Sequence, residues 1–325
     1  MEPTKKHLRK KKRYKVLASI AIFIFIVIVI VPSLGLTLYI NHHVSYRGEE
    51  TPDYPLQGIY EASDYGIKET IHTFETEDSE SLWCSEIRVE NPKGVIIYLS
   101  GIEQPSITYF YGHAAWMQKN GYVSFLLEVR GHGRSSGKQI GFGYTEVGDV
   151  QAVVDYICTK EEYAGVPIVL QGVSMGGAIT LNAFGQIPEI SGCIAMSPYA
   201  SCEEQLELLM EQYHIPGLIR AIEKPLLTQT LKWIYGSEAV ENLSPKKQIQ
   251  NAKGRPVYIV SCKQDDSVPF ENTEILQKAY PEVEVWSRDS WEHFIVKDCD
   301  FKNVVQDTAY CEKILLWINT ICNQE

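Results

Sequence analysis

Cysteine is missing from the first 83 residues of this 325-residue chain, and none of its eight cysteines stands with another as C-x-x-C. The first absence excludes a lipid-modified cysteine directly after an N-terminal apolar run. The second argues against a structural zinc site, whose ligands usually come in such pairs, and no metal or other cofactor is expected. Basic patches are missing beyond the N terminus. Residues 1–15 hold eight Lys/Arg and one Glu, so a formal net charge of -11 leaves about -18 for the remainder. An acidic body without a basic face argues against nucleic acid as a partner. There is no internal repeat and no low-complexity tract. Pro and Gly are dispersed, so the roughly 280 residues after the N-terminal segment read as one large domain.

Charge is absent altogether from Val16 to Ile40, where Ile, Val and Phe dominate. About 20 apolar residues cross a bilayer as a helix, and β-branching is no obstacle where the backbone must bond to itself. The segment also lacks a small-residue cleavage site, since Pro32-Ser33-Leu34-Gly35 is a poor match. It therefore reads as a single-pass anchor in the plasma membrane, with a cleaved signal peptide as the rival. The basic tail (1–15) is expected in the cytoplasm and the rest outside. Residues 41–65, with His42, His43, Pro52 and Pro55, read as a juxtamembrane connector, and 66–325 as the single large domain.

Beyond the connector, strand and helix alternate. Thr70–Glu75 and Ser81–Val89 alternate apolar and polar residues, as half-buried antiparallel strands do. Gly94–Ser100, Tyr122–Val129, Val166–Gln171, Cys193–Met196, Val257–Cys262 and Val283–Trp286 are short apolar strands. Helices are expected over Thr108–Asn120, Thr145–Thr159 (Thr145 as N-cap), Met175–Ile187, Asn272–Ala279 and Phe301–Ile321. This rhythm implies an α/β fold with a mostly parallel sheet and helices on both faces. Residues 200–252 are helical without a strand, a cap inserted between the sixth and seventh core strands. Cys158, Cys193 and Cys262 fall in apolar runs and are expected as buried thiols. Cys299, Cys311 and Cys322 could supply one bridge, with the pairing open.

Gly172-Val173-Ser174-Met175-Gly176-Gly177 follows a buried strand and opens a helix. This is G-x-S-x-G in the strand–turn–helix context that makes serine a nucleophile. Side chains at Gly172 and Gly176 would collide with neighbouring backbone. The Met175 N–H, at the helix start, is free to bond an oxyanion.

The chain resembles the α/β-hydrolase superfamily over about residues 69–321, nearest its monoglyceride-lipase and serine-aminopeptidase-like branch. Tyr98-Leu99-Ser100-Gly101-Ile102 resembles the family's strand ending in His-Gly-x, with Ser100 for the usual His. Glu128-Val129-Arg130-Gly131-His132-Gly133-Arg134-Ser135 resembles its Asp-x-Arg-Gly-His-Gly-x-Ser, with Glu128 for Asp. In this fold the acid and then the histidine follow the serine. Of eight histidines only His293 lies in the loop after the last strand, where the family has Gly-His and this chain Glu292-His293. The family's G-x-x-D-x-x-V-P aligns with Cys262, Asp265 and Val268-Pro269, which implies Asp265 over Asp266 as the acid. Ile102 matches the second oxyanion donor. His132 matches a structural turn and carries no proton.

The cap is rich in Leu, and Leu209, Leu227 and Leu231 are candidates for an acyl pocket, although helical spacing alone would bury them. The expected reaction is hydrolysis of a small-molecule or lipid-like ester through an acyl-enzyme. Removal of N-terminal residues from peptides uses the same chemistry. A non-catalytic binding protein would predict a broken triad, and dehalogenase chemistry would need Asp at position 174. The sequence leaves the oligomeric state open.

Overall fold

The computed structural model describes residues 5–45, 56 and 58–322. The side chains of residues 5–11 and, in the expected connector, Pro52 and Pro55 lie outside the described residues. The apolar run is one long rod: α1 (Lys5–Phe25), a wide π-helical turn (Ile26–Ile30) and α2 (Val31–Ile40). Pro32 explains the wide turn. Its ring lacks an N–H for the carbonyl one turn back and crowds that carbonyl. The Val31 N–H bonds instead to the Ile26 carbonyl, five residues back.

Eight strands form one sheet in the order β1-β2-β4-β3-β5-β6-β7-β8. They are β1 (Thr70–Glu75), β2 (Ser81–Ile87), β3 (Gly94–Leu99), β4 (Tyr122–Leu127), β5 (Ile168–Val173), β6 (Ile190–Met196), β7 (Val257–Cys262) and β8 (Glu284–Arg288). Both pairings of β2 are antiparallel, and every later one is parallel. β3 shows why the central strands are apolar throughout. Val95, Ile97 and Leu99 enter one core while Ile96 and Tyr98 enter the other. The first core is closed by α4 (Val147–Cys158), α5 (Met175–Gln186) and α10 (Glu271–Ala279). The second is closed by α3 (Tyr111–Lys119) and α11 (Thr308–Cys322).

Between β6 and β7 lies the cap: α6 (Cys202–Gln212), α7 (Gly217–Tyr235), α8 (Ser237–Asn242) and α9 (Pro245–Gln248). Ser201 starts it as an N-cap, accepting from the Glu204 N–H at 3.1 Å while its hydroxyl donates to the Glu204 carboxylate at 2.9 Å. α2 packs along α7, and Ile40 is wholly buried with Tyr144, Cys202, Leu231 and Val240.

Some expectations need correction. α4 begins after Glu146, not at Thr145, and the buried Glu146 carboxylate accepts the Gly141 and Gly143 N–H groups at 2.8 and 2.9 Å. The terminal helix starts at Thr308; Phe301 packs on Tyr109 and Phe110 ahead of it. Cys158 is exposed on the last turn of α4, whereas Cys193 and Cys262 are buried as expected, and all eight thiols are free. Where it is described, the expected connector is held against the domain. Val44 pairs with His132, its N–H donating to the Gly131 carbonyl (2.8 Å) and its carbonyl accepting the Gly133 N–H (2.8 Å). The His43 ring nitrogens lie 2.8 and 3.0 Å from the Gly137 and Gly133 carbonyl oxygens.

Candidate active site

Four loops at the carboxyl ends of β3, β5, β7 and β8 meet over the sheet, where open α/β sheets place their ligands. β5 runs into Ser174, whose backbone sits at φ 58°, ψ −121° and starts α5. An L-residue holds that conformation only under constraint. The constraint is visible on both sides. A Cβ at Gly172 would lie 2.2 Å from the Gly176 carbonyl oxygen, and one at Gly176 would lie 2.3 Å from that of Leu99. The Ser174 N–H is held by the Met196 carbonyl at 2.8 Å. Met175, as first residue of α5, has no intrahelical acceptor for its N–H. Among the described residues no backbone acceptor takes the N–H of Met175 or of Ile102. Gly101 lets the Ile102 loop close in, since a Cβ there would stand 3.3 Å from the Ser174 Cβ.

After β7, Asp265 turns inward. One carboxylate oxygen accepts the Ser267 and Val268 N–H groups, each at 2.9 Å, and the other faces His293 Nδ1 at 2.7 Å. Asp265 and His293 are otherwise walled off, their side chains 1% and 14% exposed. Asp266, one residue on, is exposed. Where the family has glycine, the buried Cys262 thiol lies 3.0 Å from Ser290 Oγ, in the loop that carries His293. Ser174 and His293 line the same cavity of about 420 Å³. Among the described residues their side chains share no hydrogen bond; such bonds often tighten only when substrate binds.

The Arg130–Ser135 turn is structural. Arg130 is clasped by Asp149 (2.7 and 2.8 Å) and Asp78 (2.5 and 2.9 Å). His132 Nδ1 lies 3.1 Å from the Arg130 carbonyl, and burial brings its pKa down to about 4, so the ring is neutral. Glu128 accepts from Ser106 Oγ (2.7 Å) and Arg134 (2.8 Å). Gly133 makes room for this longer acid, since a Cβ there would meet its oxygen at 2.2 Å.

Of the cap leucines, Leu209 lines the cavity with Ser174 and Leu227 lines a neighbouring one. Leu231 lines neither; it is fully buried in the small core around Ile40. Among the lining residues not legible in the sequence are Leu36 and Tyr39 of α2. In an all-apolar run, positions that face lipid and positions that face a pocket look alike. Gln104 was missed as well; its Oε1 is buried without a protein partner beside Gly101.

A mostly parallel sheet with this strained serine at the turn after β5 defines an α/β-hydrolase, and the chain is a serine hydrolase of that class. A family model described as serine aminopeptidase, S33, matches residues 90–268, and the chain belongs to that family. Among solved structures, the esterase Pf2001 of Pyrococcus furiosus superimposes with a TM-score of 0.61 at 19% identity, covering 82% of this chain and 95% of that one. The acylaminoacyl peptidase of Pyrococcus horikoshii reaches 0.60 at 15% identity, covering 82% and 44%. Among curated proteins, the uncharacterized YqkD of Bacillus subtilis (strain 168) is 30% identical over 160 residues, 48% of this chain and 50% of its own length. The acylamino-acid-releasing enzyme of Rattus norvegicus is 27% identical over 184 residues, 54% of this chain and 24% of its own. The matches thus span half or less of these curated relatives.

Proposed function

We propose that the protein is a membrane-anchored carboxylic-ester hydrolase acting through Ser174, His293 and Asp265. The observation that carries this reading is the 2.7 Å contact between Asp265 and His293 Nδ1 in the cavity that holds the strained Ser174. Asp265 fixes the imidazole tautomer, leaving Nε2 to take the Ser174 proton as Oγ attacks the ester carbonyl. The tetrahedral oxyanion is received by the Met175 and Ile102 N–H groups. His293 then protonates the leaving alcohol, and water repeats the sequence to release the acid. Ester is favoured over peptide because an aminopeptidase needs a carboxylate for the substrate ammonium. The acid lining the cavity, Glu103, lies 3.3 Å from His42 Nε2 and is not held in reserve.

The anchor reading is supported by the fate of the helix end. A removable signal would not place Ile40 at zero exposure or lend Leu36 and Tyr39 to the cavity. The basic tail is then cytoplasmic, and the domain faces outward from the plasma membrane. The test is a fluorophosphonate probe on the full chain, with p-nitrophenyl butyrate turnover alongside. Wild type is expected to label and turn over without metal or nucleotide. Ser174→Ala is expected to do neither, losing several orders of magnitude in rate. An unchanged rate in that variant would overturn the assignment. Cleavage of aminoacyl anilides in preference to esters would favour the peptidase reading.

A further inference from the structure

A second cavity, of about 510 Å³, lies between the N-terminal helix and the cap. Val27, Pro32 and Gly35 bound one side, and Met210, Ile219 and Leu227 the other. Leu36, Tyr39 and Leu206 line both this space and the catalytic cavity, so the two adjoin at these side chains.

Helix length says where this groove sits. The eleven uncharged residues from Val16 to Ile26 precede the cap contacts. At about 1.5 Å per residue they span roughly 16 Å, half of a hydrocarbon core of about 30 Å. The missing half must come from about the next nine residues, 27–35, a stretch that packs against α7 and gives Val27, Ile28, Pro32 and Gly35 to the groove. The cap tip therefore shares the outer half of the bilayer with the helix. Its surface agrees. Tyr213 and Leu218, at the turn from α6 to α7, are 74% and 78% exposed, and Ile222 is 40% exposed. Such a cluster is costly in water and at home in lipid. Among the described residues the groove holds one carboxyl, Glu223, which is 4% exposed and has an Oε2 without a protein partner. A hydroxyl or amide N–H carried on the bound chain would supply the missing donor.

We propose that this groove receives the acyl chain of an ester lipid drawn sideways from the outer leaflet, with the ester reaching Ser174 past Leu36 and Tyr39. The inference rests on the anchored-esterase reading and adds the substrate class and its route. Gly35 provides the test, because a Cβ there meets nothing within 4 Å and a large side chain fills the groove without moving backbone. Full-length protein is placed in phosphatidylcholine vesicles carrying an ester lipid with a diazirine in its acyl tail. Light should cross-link the lipid to residues 27–36 and 206–227. Gly35→Trp should reduce that yield, and the rate on long-chain esters, by about tenfold or more, the loss of only a couple of buried methylenes. Its rate on p-nitrophenyl acetate should stay within about twofold, since the short acyl group needs only the catalytic cavity. Cross-links elsewhere, or equal effects of Gly35→Trp on short and long esters, overturn the proposal. A wild type inert to acetate and to fluorophosphonate would instead sink the esterase reading, and the cross-link map would still decide the groove.

Discussion

Asp265 and Asp266 are adjacent, yet their carboxylates have different work. The Asp265 side chain closes a turn on two N–H groups and still presents an oxygen to His293, while Asp266 points to solvent with Ser267 Oγ at 3.4 Å. Asp265→Asn can keep the turn through its carbonyl oxygen, but it offers an amide N–H to Nδ1 and selects the wrong tautomer. Turnover should fall by about 10³–10⁴-fold with folding intact. Asp266→Asn should retain most activity. Steady-state rates with a thermal melt on each variant check both, and a reversal would place the acid one residue later. At this scale the sequence was legible wherever backbone sterics demand a residue type. Gly172 and Gly176 are dictated by contacts of 2.2 and 2.3 Å, and the spacing to Val268 by the bond it makes to Asp265. It was illegible where only direction matters. Leu209, Leu227 and Leu231 have the same chemistry, and packing alone sends them to two cavities and a core.

Among elements, the strands were readable from apolar runs or from alternation, and the start of α5 at Met175 from the serine motif, whereas the starts of α4 and of the terminal helix were not. The choice between Thr145 and Glu146 depended on where a loop brought the Gly141 and Gly143 N–H groups. The end of α2 is the element whose role was least visible. Ile40 is buried in the cap core, its carbonyl accepts the Ile140 N–H at 2.9 Å, and Val44 holds the Gly131–Gly133 turn. Deleting residues 1–45 removes all of this, and deleting 1–30 removes none of it. Losing one buried isoleucine typically costs about 2–5 kcal/mol. The longer deletion should therefore lower the melting temperature by about 5–10 °C relative to the full chain in detergent. The shorter one should leave it nearly unchanged. Calorimetry on the three chains decides this, and equal melting would mean the helix end is only a passenger.

For the molecule as a whole, two buried imidazoles contribute to the loss of stability in acid. Burial lowers His113 to about 3 and His132 to about 4, each from an ordinary 6.5. In the unfolded chain both take up protons below about pH 6.5. The folded chain refuses them, so their contribution is whole above 6.5 and is lost as pH falls toward 4. His113 sits among Tyr98, Phe110 and Phe301, with Nε2 3.1 Å from the Tyr310 hydroxyl. A phenyl ring fits there, and Tyr310 keeps Gln171 as a partner at 2.8 Å. His113→Phe should therefore narrow the gap between melting temperatures at pH 7.5 and pH 5, read by scanning fluorimetry. An unchanged gap would locate the acid sensitivity elsewhere.

On the proposed reading of an anchored lipid esterase, the clamp formed by Ile40, His43 and Val44 on the 131–140 loop has a kinetic meaning. An enzyme on a slack leash would sample a hemisphere of solution. One bolted to its anchor meets substrate only as fast as lipids diffuse within a single sheet. Its velocity then tracks the mole fraction of substrate in that surface, not the amount per volume. Thinning the substrate with inert lipid slows each enzyme molecule, and adding more vesicles of the same composition does not restore it.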